Sequence, residues 1–304
     1  RDREQRRKGI TYAAKRTLNK SVSDTKTYKL LSSYVDGIND YIENLNYENY
    51  PVEYKLLNYK PEKWTLLKTF ILMESMSDML SSRDMDMEDS YLLNILGEEK
   101  YNLLFPEYHD KIKPIIPQGT KFNFNVPKID PPKEKYFSFP LSSTISKPNK
   151  DNGSNNFAIS SNKSKDGSAF LASQPDLSLN LPSIWYIIHL NSPNYNTMGA
   201  SLPGAPGVII GFNENVAWGE TNATRDVIDW YKIEFKDNSR AEYRYGDKWL
   251  KTEKVLEEIK IKGEKTFIDT IVYTHYGPIV YDKNFNSNEE KENFAMRWIA
   301  HDES

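Results

Sequence analysis

The chain has 304 residues, a formal net charge of -3 and 38% hydrophobic residues, enough for one large domain or two ordinary ones with a buried core. The near-neutral balance, without a basic run interleaved with aromatics, argues against a dedicated nucleic-acid binder, and the lack of cysteine removes disulfides, thiol nucleophiles and thiolate metal sites. No stretch reaches the roughly eighteen apolar residues of a membrane span, and His109, His189, His275 and His301 show no metal-ligand spacing.

In chain order, residues 1–112 read as helical. The basic residues of Arg1–Arg16 are expected on a solvated helix face. Leu30, Leu31, Tyr34, Ile38, Tyr41 and Ile42 recur at three and four, giving one apolar face. Pro61-Glu62-Lys63-Trp64 is expected to open the next helix, which runs to about Leu80 with Leu66, Leu67, Phe70, Ile71 and Met73 inward. The methionines from Met73 to Met87 read as adaptable core. The acids Asp84, Asp86, Glu88 and Asp89 either cap a helix N-terminus or hold a cation, and Leu92–Leu104 forms a further helix. Residues 113–152 carry seven prolines and no periodicity, so 113–153 reads as a linker or spacer.

After Ser154 the texture turns to strands. Residues 157–160, 169–172, 184–190 and 208–211 are short β-rich runs between Gly, Asn, Pro and Ser clusters. Residues 230–235, 241–245, 257–261 and 270–273 continue the trend, with the alternation of a half-exposed antiparallel sheet. Helices first and strands afterwards imply an α+β fold. The chain begins with arginine inside a helix-like pattern and ends at 304 without a stop signal, so it reads as a piece cut at both sides, any signal peptide lost.

The junction between the two halves is Asp151-Asn152-Gly153-Ser154-Asn155-Asn156-Phe157. Asn-Gly is a strong hairpin signal, and the run could simply connect two strands. The other reading is chemical. Cleavage of the Gly153-Ser154 bond would give Ser154 a free α-amine beside its own hydroxyl, and that amine, with an ordinary pKa of about 7.7–8.0, suits a general base at neutral pH. Nucleophile and base are then one residue.

The motifs downstream of Ser154 decide between them. Ser173-Gln174-Pro175-Asp176-Leu177 comes first, then Pro182-Ser183-Ile184-Trp185-Tyr186. Pro203-Gly204-Ala205-Pro206-Gly207 is next, succeeded by Trp218-Gly219-Glu220-Thr221-Asn222 and Asp226-Val227-Ile228-Asp229. With Tyr34-Val35-Asp36-Gly37 and Pro61–Thr65 upstream, and His275-Tyr276-Gly277-Pro278 and Met296-Arg297-Trp298 downstream, nearly the whole chain resembles the penicillin acylase family of N-terminal-nucleophile amidohydrolases.

That resemblance implies a four-layer αββα sandwich and a precursor that cuts itself at Gly153-Ser154. Residues 1–112 would be the helical α-chain region and 154–304 the start of the β-chain, the two remaining partners after cleavage. It implies hydrolysis of an N-acyl amide through an acyl-enzyme on Ser154. The backbone N–H of Asn222 would be one oxyanion donor, a kind of contact worth about 2.7–4 kcal/mol of barrier. The family's second donor would lie beyond Ser304, so the chain by itself is expected to be inactive. Asp176 stands where relatives carry histidine or glutamine. As partner of the Ser154 α-amine it would raise that amine's pKa and move the pH optimum; otherwise it is a loop cap after Pro175. Leu177, Ile209, Ile210, Met76 and Leu80 would line the acyl pocket, and their aliphatic character favours flexible aliphatic or merely different acyl groups; ordinary core packing would give the same residues. Glu88, with Asp86 as rival, joins Asp226, the Ile228 carbonyl and Asp229 as the family's calcium ligands, a structural site without a part in the chemistry; surface acids are the other reading. No cofactor is expected for catalysis. The family is usually exported, so an extracytoplasmic location is implied. A second reading, of a different class, is an uncleaved, non-catalytic homologue that binds its ligand.

Overall fold

In a computed structural model, residues 1–81, 84–106, 111, 116–117, 119–124, 153–223, 225–285 and 293–302 are described. The proposed spacer 113–153 lies mostly outside them.

Among the described residues six α-helices come first: α1 (Asp2–Arg7), α2 (Ile10–Ser21), α3 (Thr25–Glu43), α4 (Val52–Leu57), α5 (Leu66–Leu80) and α6 (Asp86–Leu104). Local chemistry sets their starts. Asp24 accepts the backbone N–H groups of Lys26 and Thr27, satisfying two otherwise orphaned donors of α3. Thr65 does the same for Lys68, so α5 begins at Leu66 and not at Pro61. Residues 61–64 are held outside the helix because Asn39 accepts the Trp64 N–H at 2.7 Å and donates to its carbonyl at 3.0 Å. Met73 is exposed, whereas the buried residue of α5 is Thr69. Its hydroxyl donates to the Gly204 carbonyl at 2.8 Å and accepts from Trp64 Nε1 at 2.9 Å, a polar role that an apolar-periodicity argument passes over. The acids 86, 88 and 89 fall in the first turn of α6, as the capping reading expects.

The basic N-terminal segment is corrected more sharply. It is a solvated face only in part: Arg1 and Lys15 are exposed, but Arg7 and Lys8 are buried. Arg7 is fully buried and binds Asp269 in a fork, Nε to Oδ2 at 2.7 Å and Nη2 to Oδ1 at 2.6 Å, while Nη1 reaches Asp282 at 2.8 Å. Arg3 adds a second cation on Asp269, Arg240 a second on Asp282, and Arg6 pairs with Glu257. Asp269 lies 262 residues along the chain from Arg7, so helix periodicity could not reveal the pairing.

The acids 257 and 269 belong to a five-stranded antiparallel sheet in the order β10 (Glu253–Ile259), β11 (Phe267–Thr274), β12 (Gly277–Tyr281), β13 (Phe294–Trp298) and β7 (Ile228–Lys232). Its centre carries the core: Ile279, Val280, Tyr281, Phe294, Met296 and Trp298 are buried, with Ile10 of α2 against them. Strands β12 and β13 lie outside the strand runs read from the sequence; buried along most of their length, they lack the alternation of a half-exposed sheet. A second, four-stranded sheet has the order β3 (Tyr186–Ser192), β4 (Tyr195–Ser201), β5 (Ile210–Phe212) and β6 (Ala217–Trp218). Two hairpins complete the fold, β1 (Asn155–Ile159) with β2 (Phe170–Gln174), and β8 (Glu242–Tyr245) with β9 (Lys248–Lys251). Among the described residues no helix is long and apolar enough to cross a membrane.

Burial alone would raise the Asp269 carboxyl, but the hydrogen bonds from Arg7 and Arg3 outweigh it and hold the group below its ordinary range. Asp282 is held down in the same way by Arg240 and Arg7. Carboxyls depressed in the folded state stabilise it fully above the unfolded value of about 4, and that contribution is lost as pH falls through the lower folded values. Arg7→Leu, which strips a cation from two buried carboxylates, is therefore expected to cost about 3 kcal/mol at pH 7. Urea unfolding from pH 7 to pH 3 checks this, and the gap from wild type should narrow below pH 4.

Candidate active site

Ser154 sits at the entry to β1, and the pairing Asn155↔Gln174 and Asn156↔Ser173 brings the end of β2 and the loop after it alongside. The Gly153 N–H donates to the Asp176 carbonyl at 3.0 Å, which tethers the peptide just before the serine. On the other flank, Thr221 Oγ1 donates to the Ser154 carbonyl at 2.9 Å. Thr221 belongs to the loop after β6, and Gly219 is what lets that loop come so close. A Cβ there would lie 2.6 Å from both Asn156 Nδ2 and Ser173 Oγ, inside contact distance of the hairpin that carries the serine.

The wall opposite is built from the second sheet and α5. Trp218 Nε1 donates to the Ile209 carbonyl at 2.9 Å, and Ile209 N–H donates to the Ala200 carbonyl at 2.8 Å, fixing Ile209 and Ile210 beside β4. The Pro203–Gly207 loop is pinned by Thr69 of α5 at the Gly204 carbonyl and by Tyr34 of α3, whose hydroxyl accepts the Gly204 N–H at 3.0 Å. Gly204 has φ near 104°, and a Cβ would meet the Trp64 ring at 2.8 Å, so conformation and space both call for glycine. Finally, Asn222 Nδ2 donates to the Leu80 carbonyl at 2.7 Å, tying the same loop to the last turn of α5.

These contacts enclose a cavity of about 370 Å³. Ser154, Met76, Leu80, Leu177, Ile209, Ile210 and Asn222 all line it, so the structure brings the candidate nucleophile, the candidate oxyanion residue and the five candidate acyl-pocket residues to one place. The lining is mostly apolar, with Met73, Trp185 and Leu202 added and Ser77, Glu220 and Thr221 among its polar members. Of the residues around Ser154, sequence reasoning missed Thr221. It lies beside Asn222 in the Trp-Gly run, but nothing local says that its hydroxyl reaches back 67 residues.

Asp176 is placed differently. Its carboxylate accepts from Gln174 Nε2 at 3.0 Å and it does not line the cavity; its main-chain carbonyl, not its side chain, holds Gly153.

The candidate cation site lies at the start of α6 beside β7. Burial, with the charges of Asp84, Asp226, Asp229 and Asp89, pushes the Asp86 carboxyl up to about 7. Burial and then Asp226 also raise Asp229. Asp86, one of the two rivals on α6, feels the charges of both Asp226 and Asp229. Glu88, two positions on, lies about 200° around the helix from it. Ile228 is buried in the core and its N–H turns to Asp226, while Asp84 accepts from Trp230 Nε1 at 3.0 Å. Among the described residues no three acidic or imidazole side chains stand close enough to hold a metal ion, so the acids crowd without forming a finished ligand set.

The chain is similar to a set of bacterial acylases. It is 26% identical over 253 residues to the acyl-homoserine lactone acylase QuiP of Pseudomonas aeruginosa, covering 81% of this chain and 29% of that protein. It is 24% identical over 284 residues to the penicillin acylase 2 proenzyme of Pseudomonas sp. strain SE83, covering 90% of this chain and 35% of the relative. The chain thus spans about a third of the length of the curated relatives it matches. Among solved structures, the thermostable penicillin G acylase from Alcaligenes faecalis matches with a TM-score of 0.32 and 26% identity, over 38% of this chain and 20% of that one. The family model described as penicillin amidase matches residues 1–304 from end to end, and the chain belongs to that family of N-terminal-nucleophile hydrolases.

Proposed function

We propose that this chain carries the nucleophile-bearing part of an amide hydrolase that acts on N-acyl substrates with aliphatic acyl groups. The observation that carries the reading is the meeting of Ser154 and Asn222 with an aliphatic lining around one cavity. Similarity to proteins named as acyl-homoserine lactone acylases supports the same substrate chemistry.

In this reading the Ser154 hydroxyl first attacks the Gly153 carbonyl, the Gly153–Ser154 C–N bond breaks to free the α-amine, and water hydrolyses the resulting ester to release the Gly153 carboxylate and restore the hydroxyl. In turnover that amine takes the proton from Oγ as Oγ attacks the substrate carbonyl. The Asn222 backbone N–H donates to the oxyanion. The amine product leaves with the proton as its C–N bond breaks, and water then hydrolyses the ester on Ser154 to release the acid. Asp176, if it swings from Gln174 to the freed amine, would raise the amine's pKa. The helices and the two sheets would take their place in a four-layer αββα sandwich, and the whole protein would work outside the cytoplasm.

The crowding of Asp84, Asp86, Asp226 and Asp229 suits a hard cation in donor type, since calcium takes six to eight oxygens. We propose a structural calcium there, held with Asp86 in place of Glu88 and tying α6 to β7.

Three outcomes test these readings on the whole protein. Intact mass and N-terminal sequencing should give a chain beginning Ser-Asn-Asn-Phe, absent from Ser154→Ala; an uncut chain in both would favour the non-catalytic binding reading. In a panel of acyl amides, aliphatic acyl groups should be cleaved faster than phenylacetyl, and the reverse order would sink the aliphatic assignment. Calcium at about a hundred times its Kd should stabilise the protein by about 2.7 kcal/mol in thermal unfolding. Asp226→Asn with Asp229→Asn should abolish that gain.

A further inference from the structure

We infer that the loop after β6 is a strut that couples occupancy of the acyl cavity to the position of the nucleophile, with the side chains of Thr221 and Asn222 as its two ends. The inference rests on the function proposed above and assigns these side chains a role that the backbone N–H of Asn222 does not exhaust.

The geometry is specific. Adjacent residues of one short loop reach in two directions: Thr221 Oγ1 donates to the Ser154 carbonyl at 2.9 Å, and Asn222 Nδ2 donates to the Leu80 carbonyl at 2.7 Å. Leu80 closes α5, and with Met76 one turn earlier it lines the cavity that Ser154 also lines. The far side of the loop cannot give way, because Gly219 already sits against Asn156 and Ser173 of the hairpin that begins at the serine. The carbonyl bond fixes the backbone of Ser154 and so limits where its Oγ can point. A shift of the last turn of α5, as an acyl chain packs on Leu80 and Met76, is therefore carried through Asn222 and Thr221 to the residue that attacks. The Asn222–Leu80 bond also joins the halves of the sequence on either side of Gly153–Ser154, so it remains a link between the two chains after cleavage.

Two hydrogen bonds that only held a fold together would affect all substrates alike. A strut does not. With the wild-type whole protein, kcat should rise with acyl length once the chain is long enough to reach Leu80. In Asn222→Ala and in the near-isosteric Asn222→Asp, whose carboxylate cannot donate to the Leu80 carbonyl at neutral pH, that rise in kcat should vanish. The fall for long acyl amides should be about tenfold to a hundredfold, the scale of a small misplacement of reacting groups. The dependence of KM on acyl length should remain, since burial of the chain is unchanged. Thr221→Val, which cuts the other end, should likewise abolish the rise of kcat with acyl length, and Thr221→Ser, which keeps the hydroxyl, should restore it.

Hydrogen–deuterium exchange gives an arm that needs no turnover. Asn222→Ala should raise exchange in residues 77–81 and 219–223 together, with the core strand β12 unchanged. Equal loss of kcat for short and long acyl groups, or segments 77–81 and 219–223 that exchange independently of Asn222, would overturn the strut. A wild-type protein that neither cuts at Ser154 nor hydrolyses any amide would overturn the proposed function instead, and the exchange arm would then decide the strut by itself.

Discussion

A guanidinium buried between two carboxylates holds the helical and β halves of this protein together. Arg7 has no exposed surface, and its three donor positions are all committed, two to Asp269 and one to Asp282. Taking these charges out of water is costly unless the geometry is close to ideal, and here a planar fork meets a carboxylate edge-on with further cations at both acids. The arrangement places α1 against β11 and the end of β12. That in turn seats Ile10 of α2 in the sheet's core and brings the Lys8 carbonyl to His301, whose Nε2–H donates to it at 2.7 Å. Burial drives the His301 imidazole down to about 4, so it stays neutral and keeps one nitrogen as a fixed donor.

The site takes shape where those halves meet. Helix α5 packs on α2 and carries Met76 and Leu80 to one wall of the cavity, while the β1–β2 hairpin and the loops after β4 and β6 supply the other walls. Close approach of backbones does most of the shaping. Gly204 under Trp64 and Gly219 against Ser173 leave no room for a side chain, and the Gly204 loop is then locked by hydrogen bonds from two different helices. A cavity walled this way is rigid at its rear, which is the condition under which a bond such as Asn222 to Leu80 can transmit a displacement.

Much of this was legible in the sequence for a physical reason. The change from a helical to a strand pattern and the acids at the start of α6 are local signals, set by neighbours in the chain. The ordered motifs around Ser154 carried the family. What escaped were the features that depend on distant partners. Strands β12 and β13, buried along most of their length, lack the alternation that marks a half-exposed sheet, and the start of α5 was misplaced because Asn39 holds Trp64 outside the helix.

The sequence by itself determined the class of fold, the family and the identity of the residue to suspect as nucleophile, since each rests on spacing and residue type along the chain. Only the tertiary structure decided that Arg7 and Lys8 of the basic N-terminus are interior, that Thr69 and not Met73 is the buried residue of α5, and that Asp176 offers its carbonyl to Gly153 while its carboxylate turns to Gln174. The reason is the same in every case. A charged or polar side chain prefers water, and it lies inside only where long-range folding brings it a partner.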